Sequence, residues 1–168
     1  MPTEFFECHL GPLHKYSSCE WAHASNLKDA EIQTFQSYID KMNLIQLEEE
    51  HMVGRMPHPA DGEAFGHNRI RILEIGCGWG SFLLYASAKF PSMDFVGFSN
   101  SSTQIAYIQR EAHQRGLNNL KALKLDINDF CNASKRSRMS EFTEDKKFDR
   151  IISIECLEHR LVQFKFLR

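Results

Sequence analysis

The sequence predicts an α/β protein in which a parallel sheet carries helices on both faces, and three observations predict it. Ile70, Ile72, Leu73 and Ile75 form a short apolar run, broken only by Arg71, of the kind buried inside a parallel sheet. The run stops at Gly76-x-Gly78-x-Gly80, and a helical pattern, Ser81 to Ala86, begins at once. Downstream, strand-like and helix-like segments keep alternating, which within one sheet calls for right-handed crossovers. At 168 residues, 42% hydrophobic and 25% charged, the chain suits a single domain with a true core.

Taken in order, residues 5–24 are rich in aromatic and small side chains and are broken by Gly11-Pro12; the stretch His14 to Cys19 reads on its own as a polar surface turn. Ser25 or Asn26 then offers a capping side chain, and Ile32, Phe35, Ile39 and Met42 recur at helical spacing, so a helix is expected from about Leu27 to Met42. Glu48 to Asn68 is acidic, then interrupted by Pro, Gly and His, and is expected to be a flexible connector. His51, His58 and His67 fall there without the spacing of metal ligands, which makes them solvated loop histidines.

The helix after the glycine turn should run from Ser81 to Lys89 and stop before Pro91. Met93 to Phe98 is the second strand, Ser99 to Gln104 the loop at its end, with Ser101 as N-cap, and about Thr103 to Arg115 the next helix, closed by Gly116. Leu120 to Leu125 alternates as a third strand and ends at Asp126. Residues 133–147 are charged and poor in apolar groups, as in a mobile, solvated loop, and Phe148 to Ile154 is a fourth strand leading into Glu155-Cys156-Leu157-Glu158-His159.

The net charge of −2 gives no basic field for nucleic acid, and no apolar run approaches the length of a membrane span. Acidic residues at Glu4 and Glu7 do not suit a signal peptide. Five cysteines without a Cys-x-x-Cys pair point to free thiols in a reducing, cytoplasmic setting and give no metal site. Glycines without side chains allow a ligand to lie against backbone N–H groups, and the absence of a following Gly-Lys-Ser/Thr argues against a P-loop; a tight turn with no ligand is the alternative reading. Four polar clusters are expected at the carboxyl ends of the strands, where such sheets bind ligands: 74–80, 99–104, 126–127 and 155–159.

The segment Glu74-Ile75-Gly76-Cys77-Gly78-Trp79-Gly80 resembles the first motif of class I S-adenosylmethionine (SAM) methyltransferases. With Tyr16-Ser17-Ser18-Cys19, Ser99-Asn100-Ser101-Ser102-Thr103-Gln104, Asp126-Ile127 and Ser153-Ile154-Glu155-Cys156-Leu157-Glu158-His159, the chain is similar, from about Leu10 to His159, to the branch holding coclaurine-type N-methyltransferases and cyclopropane-fatty-acid synthases. The resemblance implies a Rossmann-like SAM-binding fold, with residues 1–50 as a cofactor-covering segment and helix, 51–69 as connector and 70–168 as a sheet domain incomplete at its C-terminus.

By the same resemblance Tyr16 and Ser17 cover the cofactor, and Glu74 organises the loop. Gly76, Cys77, Gly78 and Gly80 pack against the methionine part. Ser99, with Asn100 beside it, and Gln104 hold the ribose, while Asp126 accepts from the adenine amino group with help from the Ile127 backbone. Glu158 is the implied base or amine anchor, His159 its relay and Glu155 a holder of the cation. The implied substrate is a small-molecule amine, or a lipid acyl chain if the synthase side of the branch prevails. The family's continuation past Glu-His is not matched, so the expected sheet order is 3-2-1-4 with strand 4 at an edge, and little or no turnover, or cofactor binding alone, is expected of the chain as written.

Overall fold

A computed structural model of the chain describes residues 8–53, 69–136, 141–142 and 147–157. Two helices come first, α1 (Leu27–Lys41) and α2 (Leu44–Val53). Then follow β1 (Arg71–Ile75), α3 (Ser81–Lys89), β2 (Asp94–Ser99), α4 (Ser102–Gln114), β3 (Leu120–Lys124), the short α5 (Ile127–Cys131) and α6 (Ala133–Arg136), and β4 (Arg150–Ser153). The strands form one parallel sheet in the order β3-β2-β1-β4, as expected, giving the Rossmann-like arrangement. The chain steps outward from β1 to β3 and then returns to the far side of β1. That reversal leaves a crevice beyond the carboxyl ends of β1 and β4, where parallel sheets take their ligands.

Local chemistry sets the element ends. Asn26 caps α1 by accepting from the Asp29 amide at 3.0 Å, and Ser101 caps α4 by accepting from the Gln104 amide at 3.4 Å. The Asn119 side-chain amide donates to the carbonyls of Ser87, Phe90 and Met93 at 3.0, 3.0 and 2.9 Å, so one residue before β3 fixes the turn that leads into β2. Arg150 Nε donates to the Met42 carbonyl at 2.9 Å, tying β4 to the end of α1.

Alternating strand residues serve two apolar layers. Ile72 and Phe95 face a cluster built with Phe35, Ile39 and Leu44 from the N-terminal helices and Phe82, Leu83, Ile105 and Ile108 from α3 and α4. Leu73, Val96 and Phe98 face the other side, against Leu125, Ile127 and Phe130. Phe35 meets the rings of Phe82 and Tyr85 at centroid distances of 6.0 and 5.1 Å, so α1 is built into the same core as the sheet.

Two expectations need correction. The flexible connector does not start at Glu48: α2 continues through Glu48-Glu49-Glu50 to Val53, so His51 is a half-buried helix residue and not a solvated loop histidine. Asn43, at φ +52°, breaks the chain after α1 and lets it restart. Fully buried Leu44 and partly buried Leu47 then anchor the new helix, while a Gln46–Glu50 bond of 2.8 Å runs along its surface. Nor is all of 133–147 a solvated loop. Ala133–Arg136 is helical, Glu141 pairs with Arg71 at 3.6 Å and with Lys121, and Phe142 packs on Phe130 and Phe148 at 5.1 and 5.8 Å. The flanking charges had hidden the one aromatic side chain that holds this stretch to the sheet. Glu158 and His159 lie outside the described residues, as do His58 and His67.

Candidate functional site

The turn after β1 builds the floor of the crevice. The amides of Gly76 and Cys77 both donate to the Phe98 carbonyl at 3.0 Å, which fastens the loop to the end of β2. The Gly80 amide donates to the Cys77 carbonyl at 2.7 Å, and its own carbonyl accepts from Leu84 at 2.8 Å as the first bond of α3. Gly78 and Gly80 both sit in the left-handed region, at φ +53° and +74°, but they need glycine for different reasons. A Cβ on Gly80 would come within 2.6 Å of Ile108, on α4; one on Gly78 would meet nothing within 4 Å. Gly80 is a packing glycine, and Gly78 leaves space at the crevice.

Two adjoining compartments share Gly76, Gly78, Gln104 and Glu155. The smaller, of about 200 Å³, is lined further by Phe98, Ser99, Asn100, Leu125 and Ile127. Here the Ser99 hydroxyl donates to Gln104 Oε1 at 2.6 Å and accepts from the Ser101 amide at 3.2 Å. With its carbonyl held by Ser99, Gln104 offers its amide N–H groups to a ligand. Phe98, Leu125 and Ile127 give the same compartment an apolar side suited to a flat ring.

The larger compartment, of about 340 Å³, lies between the glycine loop, the end of β4 and the segment His14–Ser18. Glu74 lines it and is only 4% exposed; its Oε2 has no hydrogen-bond partner among the described residues. Burial pushes its carboxyl up to about 8, against the smaller opposing effect of a backbone hydrogen bond from Leu83. Burial thus favours the protonated acid, and the unpartnered oxygen can accept from a donor or, once the group ionises, meet a cation. The Cys77 thiol beneath the loop is raised far above the usual range, by burial first and by Glu74 second, so it is a packed thiol rather than a nucleophile.

The structure brings together Glu74, Gly76, Cys77, Gly78, Ser99, Asn100, Gln104, Ile127 and Glu155, from four separate strand ends. Ser17 lines the larger compartment, and so does Tyr16, although Tyr16 is 76% exposed and stands at its rim rather than closing it. Asp126 is the N-cap of α5: its Oδ1 accepts from the amide and the side chain of Asn128, both at 2.8 Å, while its neighbours Leu125 and Ile127 line the crevice. Glu155, in the left-handed region at φ +45°, reaches across to accept from Ser18 Oγ at 3.2 Å. Sequence reasoning missed Lys15, Leu125 and Phe98; the apolar pair was legible as strand ends, but nothing local marked Lys15. Among the described residues no group of three His, Cys, Asp or Glu could hold a metal ion, and no helix is long and apolar enough to cross a membrane.

Residues 68–151 match a family model described as "Putative methyltransferase". The chain is 28% identical over 160 residues to "Probable (S)-tetrahydroprotoberberine N-methyltransferase 2" of Papaver bracteatum, a match covering 95% of this chain and 35% of that protein. Among solved structures it is similar to coclaurine N-methyltransferase bound to N-methylheliamine and SAH (TM-score 0.66, 25% identity), covering 94% of this chain and 37% of that one. The cyclopropane synthase MmaA2 of Mycobacterium tuberculosis shares the fold at a TM-score of 0.59 and 23% identity, over 95% of this chain and 44% of that one. The chain thus spans 35% of the length of the curated relative just named.

Proposed function

This chain belongs to the methyltransferase family matched over residues 68–151, and from that premise we propose that its crevice binds SAM and directs methyl transfer to the nitrogen of a small-molecule amine. The observation that carries the proposal is the pair of compartments meeting at Gly76 and Gly78, one with hydroxyl- and amide-bearing side chains, the other with an unpartnered buried carboxylate. The residues fit the group. Ser99 and Gln104 suit ribose hydroxyls, Phe98, Leu125 and Ile127 suit a flat adenine, and Glu74 Oε2 suits an ammonium. Asp126, at the same strand end, is the acceptor proposed for the adenine amino group, and Tyr16 and Ser17, at the rim of the larger compartment, are proposed to cover the cofactor once it is bound.

When bound, SAM supplies an electrophilic methyl group on a sulfonium, so the protein's work is alignment more than activation. An attacking amine must be neutral, and a carboxylate at the mouth can hold its proton. Glu155, which lines both compartments and accepts from Ser18, is proposed to help hold the cation there. The roles proposed for Glu158 as base and His159 as relay rest on the motif match. Support for an amine acceptor comes from the N-methyltransferases among the similar proteins.

Incubation with SAM carrying a labelled methyl group, against a panel of small secondary and tertiary amines and against vesicles of unsaturated phospholipid, tests the reading. At the low turnover expected of the chain as written, any label transferred is expected in an amine and not in the lipid. Label confined to acyl chains would overturn the amine reading and replace it with a lipid one.

A further inference from the structure

Lys15 is a buried cation at the crevice to which the reading above gives no task; it is only 6% exposed. Its backbone is set from below: the amides of Leu13 and Lys15 donate to the two carboxylate oxygens of Glu31, at 3.1 and 3.0 Å, and Glu31 on α1 is itself fully buried. A Cβ on Gly11 would lie 2.5 Å from that carboxylate group, so the turn before Lys15 closes tightly around it. The side chain turns toward the crevice. Its Nζ donates to the Ser18 carbonyl at 2.6 Å and to Ser17 Oγ, and lies 5.7 Å from the centre of the Tyr38 ring. These partners are all neutral.

An ammonium has three N–H donors, and two are placed on those serine oxygens. Taking it out of water is costly without a charged partner. Burial lowers the Lys15 pKa, with Cys19, then Glu155 and Glu31, acting the other way. The same compartment is lined by Glu74, a buried acid with one oxygen unpartnered among the described residues, which a bound cation would draw into its ionised form. An acid socket and a basic socket in one space of about 340 Å³ complement a ligand that carries an ammonium and a carboxylate on one carbon.

We propose that Lys15 anchors the α-carboxylate of the bound cofactor and so makes the site selective for adenosyl ligands that keep an intact amino-acid end. This inference rests on the SAM-binding reading above and assigns one end of the ligand to one residue. Glu74 takes the ammonium, Lys15 the carboxylate, and the shared Ser17–Ser18 contacts make the covering segment part of the same anchor. The selectivity follows because a ligand lacking the carboxylate leaves the Lys15 charge buried without its partner.

The test compares two ligands by calorimetry on the same protein: S-adenosylhomocysteine, and its decarboxylated analogue, which keeps the amino group. The intact chain is expected to favour S-adenosylhomocysteine by roughly ten- to a hundredfold, the range for one hydrogen bond to a charged group. In Lys15→Met the preference should vanish, while affinity for the decarboxylated analogue holds or rises. Lys15→Arg should retain most of the preference. Because both ligands are read on one preparation, partial unfolding of a variant lowers both affinities alike and leaves the ratio intact. A full preference surviving in Lys15→Met overturns the assignment but not the cofactor reading, as does an intact chain that binds both ligands equally. An intact chain that binds neither ligand overturns both.

Discussion

Gly80→Val is expected to cost roughly 3–5 kcal/mol of folding stability, combining a β-branched residue forced into the left-handed region with overpacking of the core. Its added Cβ would lie 2.6 Å from Ile108 Cγ1, and Ile108 is fully buried on α4, where close packing limits how far its side chain can shift. The φ of +74° adds backbone strain whatever the space around it. At this chain length the loss corresponds to a fall in Tm of roughly 6–20 degrees. A thermal melt measures it, and a Tm within two or three degrees of the unchanged protein would show that α3 and α4 do not pack through this glycine.

The pH dependence of Glu74 carries the second large effect. Its folded carboxyl titrates near 8 because it is buried, whereas in the unfolded chain a glutamate titrates at about 4.3. Between those values the folded protein keeps a proton that the unfolded chain has lost, so stability falls as pH rises. The contribution is complete below about pH 4.3 and is lost once pH has risen through 8. Across the window this amounts to an order of a few kcal/mol. Glu74→Gln, which keeps the shape of the protonated acid, should therefore melt several degrees higher than the unchanged protein at pH 8 and nearly with it at pH 5. Parallel melting curves of the two proteins from pH 5 to pH 8 would contradict the assignment. The same buried acid that weakens the empty fold is what a bound ammonium would repay.

Much of the sheet was legible because its punctuation is local. Pro91 and Gly116 mark where α3 and α4 give out, Ser101 marks where α4 begins, and the glycine turn fixes β1 against α3. α2 was not legible, because its three consecutive glutamates dilute a stripe of which Leu44 and Leu47 pack inward while Ile45 is exposed. Phe142 was hidden in the same way, by charged neighbours around one ring that joins Phe98, Phe130 and Phe148.

At the crevice, the strand-end clusters were readable as positions, since β-strand alternation and the turn place them regardless of what they touch. Side-chain partners were not. The Ser99–Gln104 bond spans five residues and could have been guessed, but the use of Asp126 as a helix cap depends on α5, a single short turn. Lys15 owes its burial to Glu31 and Tyr38, contributed by a helix that starts twelve residues later, and no local pattern announces it.

Calorimetric titration of S-adenosylhomocysteine into the unchanged protein and into Gly78→Val tests the central claim most directly. The valine side chain would project into space where no described atom lies within 4 Å of its Cβ, so its cost to folding is confined to the positive φ, about 1–2 kcal/mol. Saturable binding to the unchanged protein, lost or weakened at least tenfold in a Gly78→Val protein that still melts cooperatively, is the result expected if that space belongs to the cofactor. Equal affinity in the two proteins, or no binding to either, would contradict it.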